Sequence, residues 1–246
     1  YYKAISKGTS VEEMKRSILQ ERVHSAEYVD YIKWMEKQDK KKARSYWKEL
    51  LEDYNNVAEI KPLQKPEHTE EQMERIGVML DENITEKLMD IVHKEQLTPN
   101  IIAETACGIL LQQYTNEQDV TFGKIVSGRN ADINGIESIV GLFVNTIPVR
   151  VQADKETTIL ELLRNQQEQS VNSSSYDYCS LADIQNDSNQ GSDLIKILLA
   201  FENYHSGAED NLNSEAAKDE LDFIIEKARE QTNYDISFSS FYISGI

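Results

Sequence analysis

Near residue 115 the pattern of apolar residues along the chain changes from one that is typical of a helix to one that is typical of a strand. Residues 101–114 carry apolar side chains around most of a helical circumference, which predicts a helix that lies against a sheet. Residues 120–126 and 142–151 are rich in β-branched and aromatic side chains, which favour strands. The residues between them, 127–139, are expected to form a loop. A buried helix followed at once by two strands predicts an α/β fold.

More helices are predicted on both sides of this region. Residues 26–54 carry apolar side chains at helical spacing, interrupted by the charged run Lys40–Lys42, and so predict two helices or one bent helix. Residues that favour the first positions of a helix predict the starts of three further helices. The last of these helices is expected to end near Ser174. The predicted starts are Thr85, Thr98 with Pro99, and Thr157 or Thr158.

Three other segments have the composition of strands. They are Arg75–Leu80, Ile195–Phe201 and Tyr234–Ile243. Residues 186–193, which are rich in Asp, Asn and Ser, and residues 206–219 are predicted to be mobile loops. Helices that alternate with strands in this way strengthen the α/β prediction.

The charge of the chain argues against one class of partner. The sequence has 43 acidic and 26 basic residues, with a net charge of −17. This balance opposes binding to nucleic acid, because contacts with phosphate come from Lys and Arg. No run reaches the ~18 apolar residues that cross a bilayer, so no membrane partner is expected. Residues 1–4 lack a signal-peptide pattern, and a cytoplasmic location is predicted.

Neither a metal site nor a disulfide is expected. The four histidines do not stand at metal-ligand spacing from one another. Cys107 and Cys179 lie far apart and belong to no C-x-x-C pair. Both are therefore expected to be ordinary thiols that pack as small apolar side chains.

Residues 140–150 read V-G-L-F-V-N-T-I-P-V-R. This run is similar to the G-x-F-V-N-T-x-x-x-R signature of condensation domains in bacterial nonribosomal peptide synthetases. Residues 28–34 resemble the Y-x-D-Y-x-x-W segment of the same family. Further matches keep the family's order and spacing over nearly the whole chain. They are Arg44–Lys48, Val126–Arg129, Tyr176–Tyr178, Leu181–Gln185, Phe201–Tyr204 and Thr232–Ser237.

The sequence departs from the family pattern in three places. The H-H-x-x-x-D-G motif, whose second histidine is the family's usual catalytic candidate, is absent and is expected to precede residue 1. No catalytic residue is therefore assigned. Residues 191–193 replace an R-x-P-L-like segment, and His205 stands where a proline often follows F-E-N-Y.

The resemblance implies a fold like chloramphenicol acetyltransferase, in which two lobes with mixed sheets flanked by helices enclose a tunnel. Residues 1–246 are then expected to be the C-terminal subdomain of a condensation domain, truncated at both ends. The implied partners are donor and acceptor carrier domains, the N-terminal lobe and an adenylation domain. No cofactor is expected on the chain itself, because the carriers bear the phosphopantetheine.

The resemblance also selects candidate residues for the tunnel or its support. Asn145 and Thr146 follow the glycine-containing start of the motif, and the Asn145 amide can orient a thioester carbonyl or a pantetheine amide, or tie down a neighbouring loop. Gly141 is expected to permit a bend or a close backbone approach. Ser127 is not interpreted as a nucleophile, because it has neither a G-x-S-x-G context nor a pairing histidine.

Arginine and aromatic residues complete the set of candidates. Arg129 and Arg150 can bind acidic carriers or a phosphate, or serve as internal salt-bridge partners. Tyr28, Asp30 and Trp34 are interpreted as structural, with the aromatic rings in core packing and Asp30 anchoring a backbone amide.

The leading functional hypothesis is amide-bond formation between carrier-bound thioesters by the parent synthetase, with the chain alone inactive. Three alternatives remain open. The chain can be a carrier-docking or interdomain scaffold, an epimerization-type domain of the same fold, or part of an acyltransferase that uses coenzyme A. Epimerization domains tend to lack the F-V-N-T-x-P run of residues 143–148.

Overall fold

A computed structural model describes residues 8–24, 26–61, 74–205 and 232–244. Seven α-helices and four strands are found in these residues, together with two short 3-10 turns. The helices are α1 Val11–His24, α2 Tyr28–Lys37, α3 Lys40–Leu50, α4 Glu82–Glu95, α5 Pro99–Thr115, α6 Ile159–Ser174 and α7 Leu181–Asp187. The strands are β1 Asp119–Val126, β2 Asn145–Gln152, β3 Ile197–His205 and β4 Ile236–Ser244. The 3-10 turns are Ile136–Ser138 and Gly191–Leu194.

The strands form one mixed sheet in the order β2-β1-β3-β4. β1 and β2 are antiparallel, with Asp119 opposite Gln152 and Val126 opposite Asn145. β3 runs parallel to both β1 and β4. The carboxyl ends of β1 and β3 and the amino end of β2 therefore meet at one end of the sheet, which we call the loop end.

Helices α5 and α6 pack on the sheet through a core cluster that includes Leu111, Phe122, Val149 and Leu162. A Cβ at position 108 would lie 2.5 Å from a methyl carbon of Val151, so α5 approaches β2 closely enough to require glycine. A second cluster joins Trp47, Tyr54 and Ile184 to Ile147 and Ile195. The predicted mixed sheet flanked by helices is confirmed.

Local capping signals predicted several helix starts correctly. α6 begins after Thr158, whose hydroxyl accepts from the backbone N–H of Glu161 while the Glu161 carboxylate accepts in return. α5 begins with Pro99 after the N-cap Thr98. Residues 26–54 form two helices, α2 and α3, and not one bent helix.

Other predicted boundaries are wrong. α4 begins at Glu82 and not at Thr85, because the Asp81 carboxylate accepts from the Ile84 N–H at 2.9 Å and caps the helix earlier. β2 begins at Asn145 and not at Leu142, because Val126 opposite Asn145 is the last pair of the β1–β2 ladder.

The strand predicted at Arg75–Leu80 is also wrong, because residues 74–80 belong to none of the described strands and have no regular secondary structure. The loop predicted at 186–193 contains the end of α7 and a 3-10 turn, and the sequence did not reveal α7 itself. The predicted loop at 206–219 lies outside the described residues. Among the described helices, none has the length and apolar content needed to span a bilayer.

Candidate functional site

Residues 127–144, which we call the motif loop, connect β1 to β2 at the loop end of the sheet. Gly128 has a φ of +66°, and a Cβ there would overlap the carbonyl oxygen of Phe143. The Arg129 guanidinium donates to the carbonyls of Ile136 and, at 3.0 Å, Ile139. It also lies 4.2 Å from the centre of the Phe143 ring. The start and the end of the loop are therefore held against each other.

The motif loop has an apolar row that faces outward. Ile139 and Phe143 are buried, whereas Val140, Leu142 and Val144 are 94%, 78% and 57% exposed. Alternate residues of an extended segment point to opposite sides, so this pattern places one apolar row inside the lobe and the other on its surface. The outward row is thus available for contact at the loop end.

Helix α2 packs against the inward side of the motif loop. The Tyr28 hydroxyl donates to the Leu142 carbonyl at 2.6 Å, and its ring meets the Phe143 ring edge-on at 5.2 Å. A Cβ at Gly141 would overlap the Tyr28 ring, so the backbone approaches the aromatic side chain directly. This close approach was one of the two roles expected for Gly141.

The rest of α2 continues the aromatic contact. Trp34 stacks on Tyr31 with ring centres 5.9 Å apart and meets Tyr178 edge-on at 5.8 Å. Asp30 is exposed at the start of the helix, where its carboxylate accepts from the backbone N–H of Glu27 at 3.0 Å. These contacts support the structural interpretation of Tyr28, Asp30 and Trp34.

The Asn145 side chain lies between β2 and the segment that follows α6. Its two N–H groups donate to the carbonyls of Asp177 and Cys179 at 2.8 Å and 2.7 Å. Its oxygen accepts from the Thr146 N–H at 2.9 Å. An amide side chain has two donor hydrogens, and both are used within the lobe. The geometry favours the anchoring alternative over a contact with substrate.

Thr146 and Ser127 have local roles. The position that a Cβ would take at Gly123 lies 2.9 Å from the Thr146 methyl carbon, so that methyl covers the glycine of β1. The Ser127 hydroxyl accepts from the Arg129 N–H at 3.3 Å. This contact belongs to the turn at Gly128 and gives the hydroxyl no basic partner.

Arg150 lies far from the other candidates. It stands opposite Thr121, five residues along β2 from Asn145, which corresponds to roughly 17 Å at the usual rise of a strand. Its guanidinium pairs with the Asp119 carboxylate at 2.6 Å and donates to the carbonyls of Leu50 and Glu52. The arginine thus ties the end of α3 to the sheet, and the structure does not bring it to the loop end.

A buried ion pair that sequence reasoning missed lies near the loop end. The Lys124 ammonium on β1 is 2.9 Å from a carboxylate oxygen of Glu104 on α5 and 3.0 Å from the Ser170 hydroxyl on α6. Asn100 donates to the same Glu104 oxygen at 2.5 Å. The side chains of Lys124 and Glu104 are 9% and 1% exposed. A lysine between apolar strand residues and a glutamate inside an apolar helix were the available signals.

Asp177 is a second buried charge that the sequence did not single out as a site residue. It is 5% exposed, and its carboxylate accepts from the Asn130 side chain at 2.6 Å. Burial raises the pKa of the Asp177 carboxyl, while the hydrogen bond from Asn130 and the charge of Lys124 oppose the rise. The ionised form therefore destabilises the folded lobe, in spite of its partner.

We expect Asp177→Asn to stabilise the chain more at neutral pH than at acid pH. Because the pKa of Asp177 is raised in the folded state, its carboxyl stabilises the fold at a pH below the pKa of the unfolded chain, ~3.9. This stabilisation is lost as the pH rises through the folded-state pKa. The uncharged variant avoids this loss. Urea unfolding at pH 4.5 and 7.5 measures the difference between the variant and the parent chain.

Asp187→Asn is the matched control, with the opposite sign. The hydrogen bond from Arg44 lowers the pKa of Asp187, so its removal should destabilise the chain at neutral pH and matter less in acid. A difference for Asp177→Asn that stays constant with pH would contradict the raised pKa.

The described residues offer little acid–base or nucleophilic chemistry. Burial raises the pKa of the Cys107 thiol to about 12 and that of Cys179 to about 11, so both stay protonated near neutral pH. His93 lies on the exposed surface of α4. No cluster of three or more potential metal ligands occurs in the part of the chain that the structure describes. The loop end is thus a partly apolar surface with buried polar anchors.

The mixed sheet and its flanking helices define a lobe of the chloramphenicol acetyltransferase-like fold. The X-domain from teicoplanin biosynthesis matches with a TM-score of 0.60 and 18% identity, over 74% of this chain and 42% of that chain. The first condensation domain of the CDA synthetase matches with a TM-score of 0.55 and 14% identity, over 82% and 43%. The chain belongs to the condensation-domain family, whose model matches residues 6–245.

Curated relatives agree with this membership. Bacitracin synthase 3 of Bacillus licheniformis is 36% identical over 214 residues, which cover 87% of this chain and 3% of that protein. Tyrocidine synthase 3 of Brevibacillus parabrevis is 36% identical over 239 residues, which cover 96% of this chain and 4% of that protein. The chain thus spans a small part of the length of these relatives.

Proposed function

We propose that the chain is the C-terminal lobe of a condensation domain that joins an amine to an acyl thioester on carrier proteins. In this reaction the amine nitrogen attacks the thioester carbonyl, a C–N bond forms, and the C–S bond breaks. The amine gives up a proton, and the donor's pantetheine leaves as a thiol. The family match over residues 6–245, a range that includes the motif loop, is the observation that carries the proposal.

The part assigned to this lobe is to hold reactants and not to exchange protons. A thioester is already activated, and fixed geometry between amine and carbonyl supplies a large share of the acceleration. The outward row of Val140, Leu142 and Val144 offers an apolar wall at the loop end. Asn145 and Arg129 support that wall, because their side chains donate hydrogen bonds to backbone carbonyls of the same lobe.

The proposed partners follow from the same assignment. Donor and acceptor carrier domains would present their phosphopantetheine arms to the domain, and the N-terminal lobe would complete the tunnel and supply the histidine motif. An adenylation domain would follow in the same synthetase, in the cytoplasm. No cofactor is proposed to bind this chain directly.

A condensation assay tests the proposal. The condensation domain to which the chain belongs and the chain alone are each mixed with loaded donor and acceptor carriers, and mass spectrometry follows amide formation on the acceptor. We expect amide from the whole domain and none from the chain, because the sequence of the chain does not contain the histidine motif. Carriers loaded with acetyl groups on the acceptor nitrogen serve as the control, since they lack the attacking amine.

Each other result has a definite meaning. Amide formation by the chain alone would contradict the division of labour between the lobes. A whole domain that binds loaded carriers but forms no amide would favour the second candidate, a docking or scaffold module. The side chains of Asn145 and Arg129 donate their hydrogen bonds to backbone carbonyls of the chain itself, and this observation favours the second candidate. A change in the chirality of the donor residue would indicate the epimerization alternative.

A further inference from the structure

Asp177 lies in the segment that connects α6 to α7, next to the loop end of the sheet. It is 5% exposed, and its carboxylate accepts from the Asn130 side chain at 2.6 Å. Its backbone carbonyl accepts from the Asn145 side chain at 2.8 Å. Asn130 is the fourth residue of the motif loop, and Asn145 directly follows the loop. One buried residue thus binds the chain near the start of the motif loop and just after its end.

These two bonds connect the motif loop to the body of the lobe. The Arg129 guanidinium donates to two carbonyls within the loop, so it sets the shape of the loop and not its place on the sheet. The Tyr28 hydroxyl of α2 binds the carbonyl of Leu142 near the end of the loop. The bond between Asn130 and Asp177 does the same near the start.

The segment that carries Asp177 is itself attached to α3. The carbonyl of Tyr176 accepts from the indole N–H of Trp47 at 3.1 Å, and Trp47 is buried. The Tyr178 hydroxyl donates to the carbonyl of Asp39, the N-cap of α3, at 3.2 Å. A side chain positions another group well only when its own surroundings hold it in place. The bonds on either side of Asp177 provide that support.

The charge of Asp177 lowers the stability of the lobe but strengthens its hold on Asn130. Burial raises the pKa of the carboxyl, so the ionised form destabilises the fold near neutral pH. Buried groups with perturbed pKa values cluster at functional sites. A carboxylate also forms a shorter and stronger hydrogen bond with an amide N–H than a neutral oxygen does. The ionised side chain therefore fits a role in placing the loop better than a role in stabilising the core.

We propose that Asp177 is a positioning residue for amide formation, which places the outward row of Val140, Leu142 and Val144 by holding the motif loop near both ends. Its side chain is buried within the lobe and acts through the loop. The inference rests on the proposed function, because that function makes the row a wall for the reactants. A shift of such a wall by about 1 Å can lower a rate by about a hundredfold.

Asp177→Ala in the intact condensation domain tests the proposal. The variant removes the bond to the Asn130 side chain and keeps the backbone carbonyl that binds Asn145. We expect kcat for amide formation with loaded carriers to fall at least about tenfold, while KM for the acceptor carrier changes by less than about twofold. The urea midpoint at pH 7.5 should not fall, because a buried ionised carboxylate is removed. An unchanged kcat would overturn the proposal.

Asp187→Ala is the matched control for general destabilisation. Asp187 pairs with Arg44 of α3 and belongs neither to the motif loop nor to the segment between α6 and α7. Its replacement should lower the urea midpoint at pH 7.5 and leave kcat unchanged. An equal fall of kcat in both variants would overturn the proposal, because the effect of Asp177 would then be one of stability alone.

An exchange of the two side chains tests the hydrogen bond itself. In the double variant Asp177→Asn with Asn130→Asp, the amide at position 177 can donate to a carboxylate at position 130, which is exposed. We expect kcat to return to within about threefold of the parent value, because the charge-assisted bond is restored in the opposite direction. A double variant as slow as Asp177→Ala would overturn the proposal.

Hydrogen exchange separates this inference from the proposed reaction. It is measured by mass spectrometry in the intact domain without carriers, on peptides that cover residues 127–139. These amides should exchange at least about fivefold faster in Asp177→Ala than in the parent, and at the parent rate in Asp187→Ala. Unchanged exchange in Asp177→Ala would overturn the proposal. A parent domain that forms no amide, with faster exchange in Asp177→Ala, would contradict the proposed reaction and leave the hold of Asp177 on the loop in place.

Discussion

Gly128→Ala is expected to destabilise the chain by more than 2 kcal/mol, which is about the upper cost of a left-handed backbone in a non-glycine residue. Two effects add at this position. The φ of +66° disfavours any side chain, and the new Cβ would overlap the Phe143 carbonyl oxygen, which is backbone and cannot rotate away. The loop must then shift, and the contacts of Arg129 and Phe143 shift with it. Urea unfolding of both proteins measures the loss.

Gly135→Ala separates the two effects. Gly135 has a φ of +79°, and its Cβ would meet no atom within 4 Å. This variant should cost only the strain of the left-handed backbone, about 1–2 kcal/mol. A Gly128→Ala variant that is no less stable than Gly135→Ala would mean that the overlap with Phe143 is relieved at no cost. The same two variants in the intact domain should rank in the same order for amide formation.

The parts of this fold that sequence reasoning predicted well depend on neighbours in the chain. The start of α6 follows from Thr158 and Glu161, which satisfy each other's backbone N–H groups three residues apart. β1 needs only its β-branched and aromatic composition to be recognised. The wrong strand at 75–80 has an equally good composition, but a strand also needs an edge to pair with, and composition carries no information about that edge.

The candidate site could also be predicted from the sequence only in part, because its contacts join residues that are distant in the chain. The family resemblance selected Asn145 and Arg150 as candidates for the tunnel or its support, but it gave no information about their partners. Asn145 binds carbonyls 32 and 34 residues away, and Arg150 binds carbonyls at separations of 98 and 100 residues. Contacts at such separations have no periodic signature in a single sequence, so the sequence alone does not distinguish a substrate contact from an anchor.

Lys124→Met is expected to destabilise the chain by about 3–5 kcal/mol, the usual cost of removing one partner from a buried ion pair. The variant takes the ammonium away from the Glu104 carboxylate, which is 1% exposed and keeps the hydrogen bond from the Asn100 side chain. An uncompensated buried charge is the main cause of the loss, and the altered packing of the new side chain is a smaller one. Urea unfolding near neutral pH measures the change.

The double variant Lys124→Met with Glu104→Leu tests whether the buried charge is the cause. Replacement of a whole buried pair by apolar side chains of similar volume is often nearly neutral, so the double variant should recover most of the stability lost in the single one. A loss in the double variant equal to the sum of the two single losses would show that the residues act independently.

The ion pair also acts on Asp177, which links it to the loop end. The Lys124 charge lowers the pKa of the Asp177 carboxyl against the larger effect of burial. Without that charge the ionised Asp177 is less favourable, so Asp177→Asn should stabilise the Lys124→Met chain more at pH 7.5 than it stabilises the parent chain. If both backgrounds gain equally, the two buried groups are not coupled. If the gain is larger in the Lys124→Met background, the ion pair of α5 and β1 helps to keep a charged carboxylate beside the motif loop.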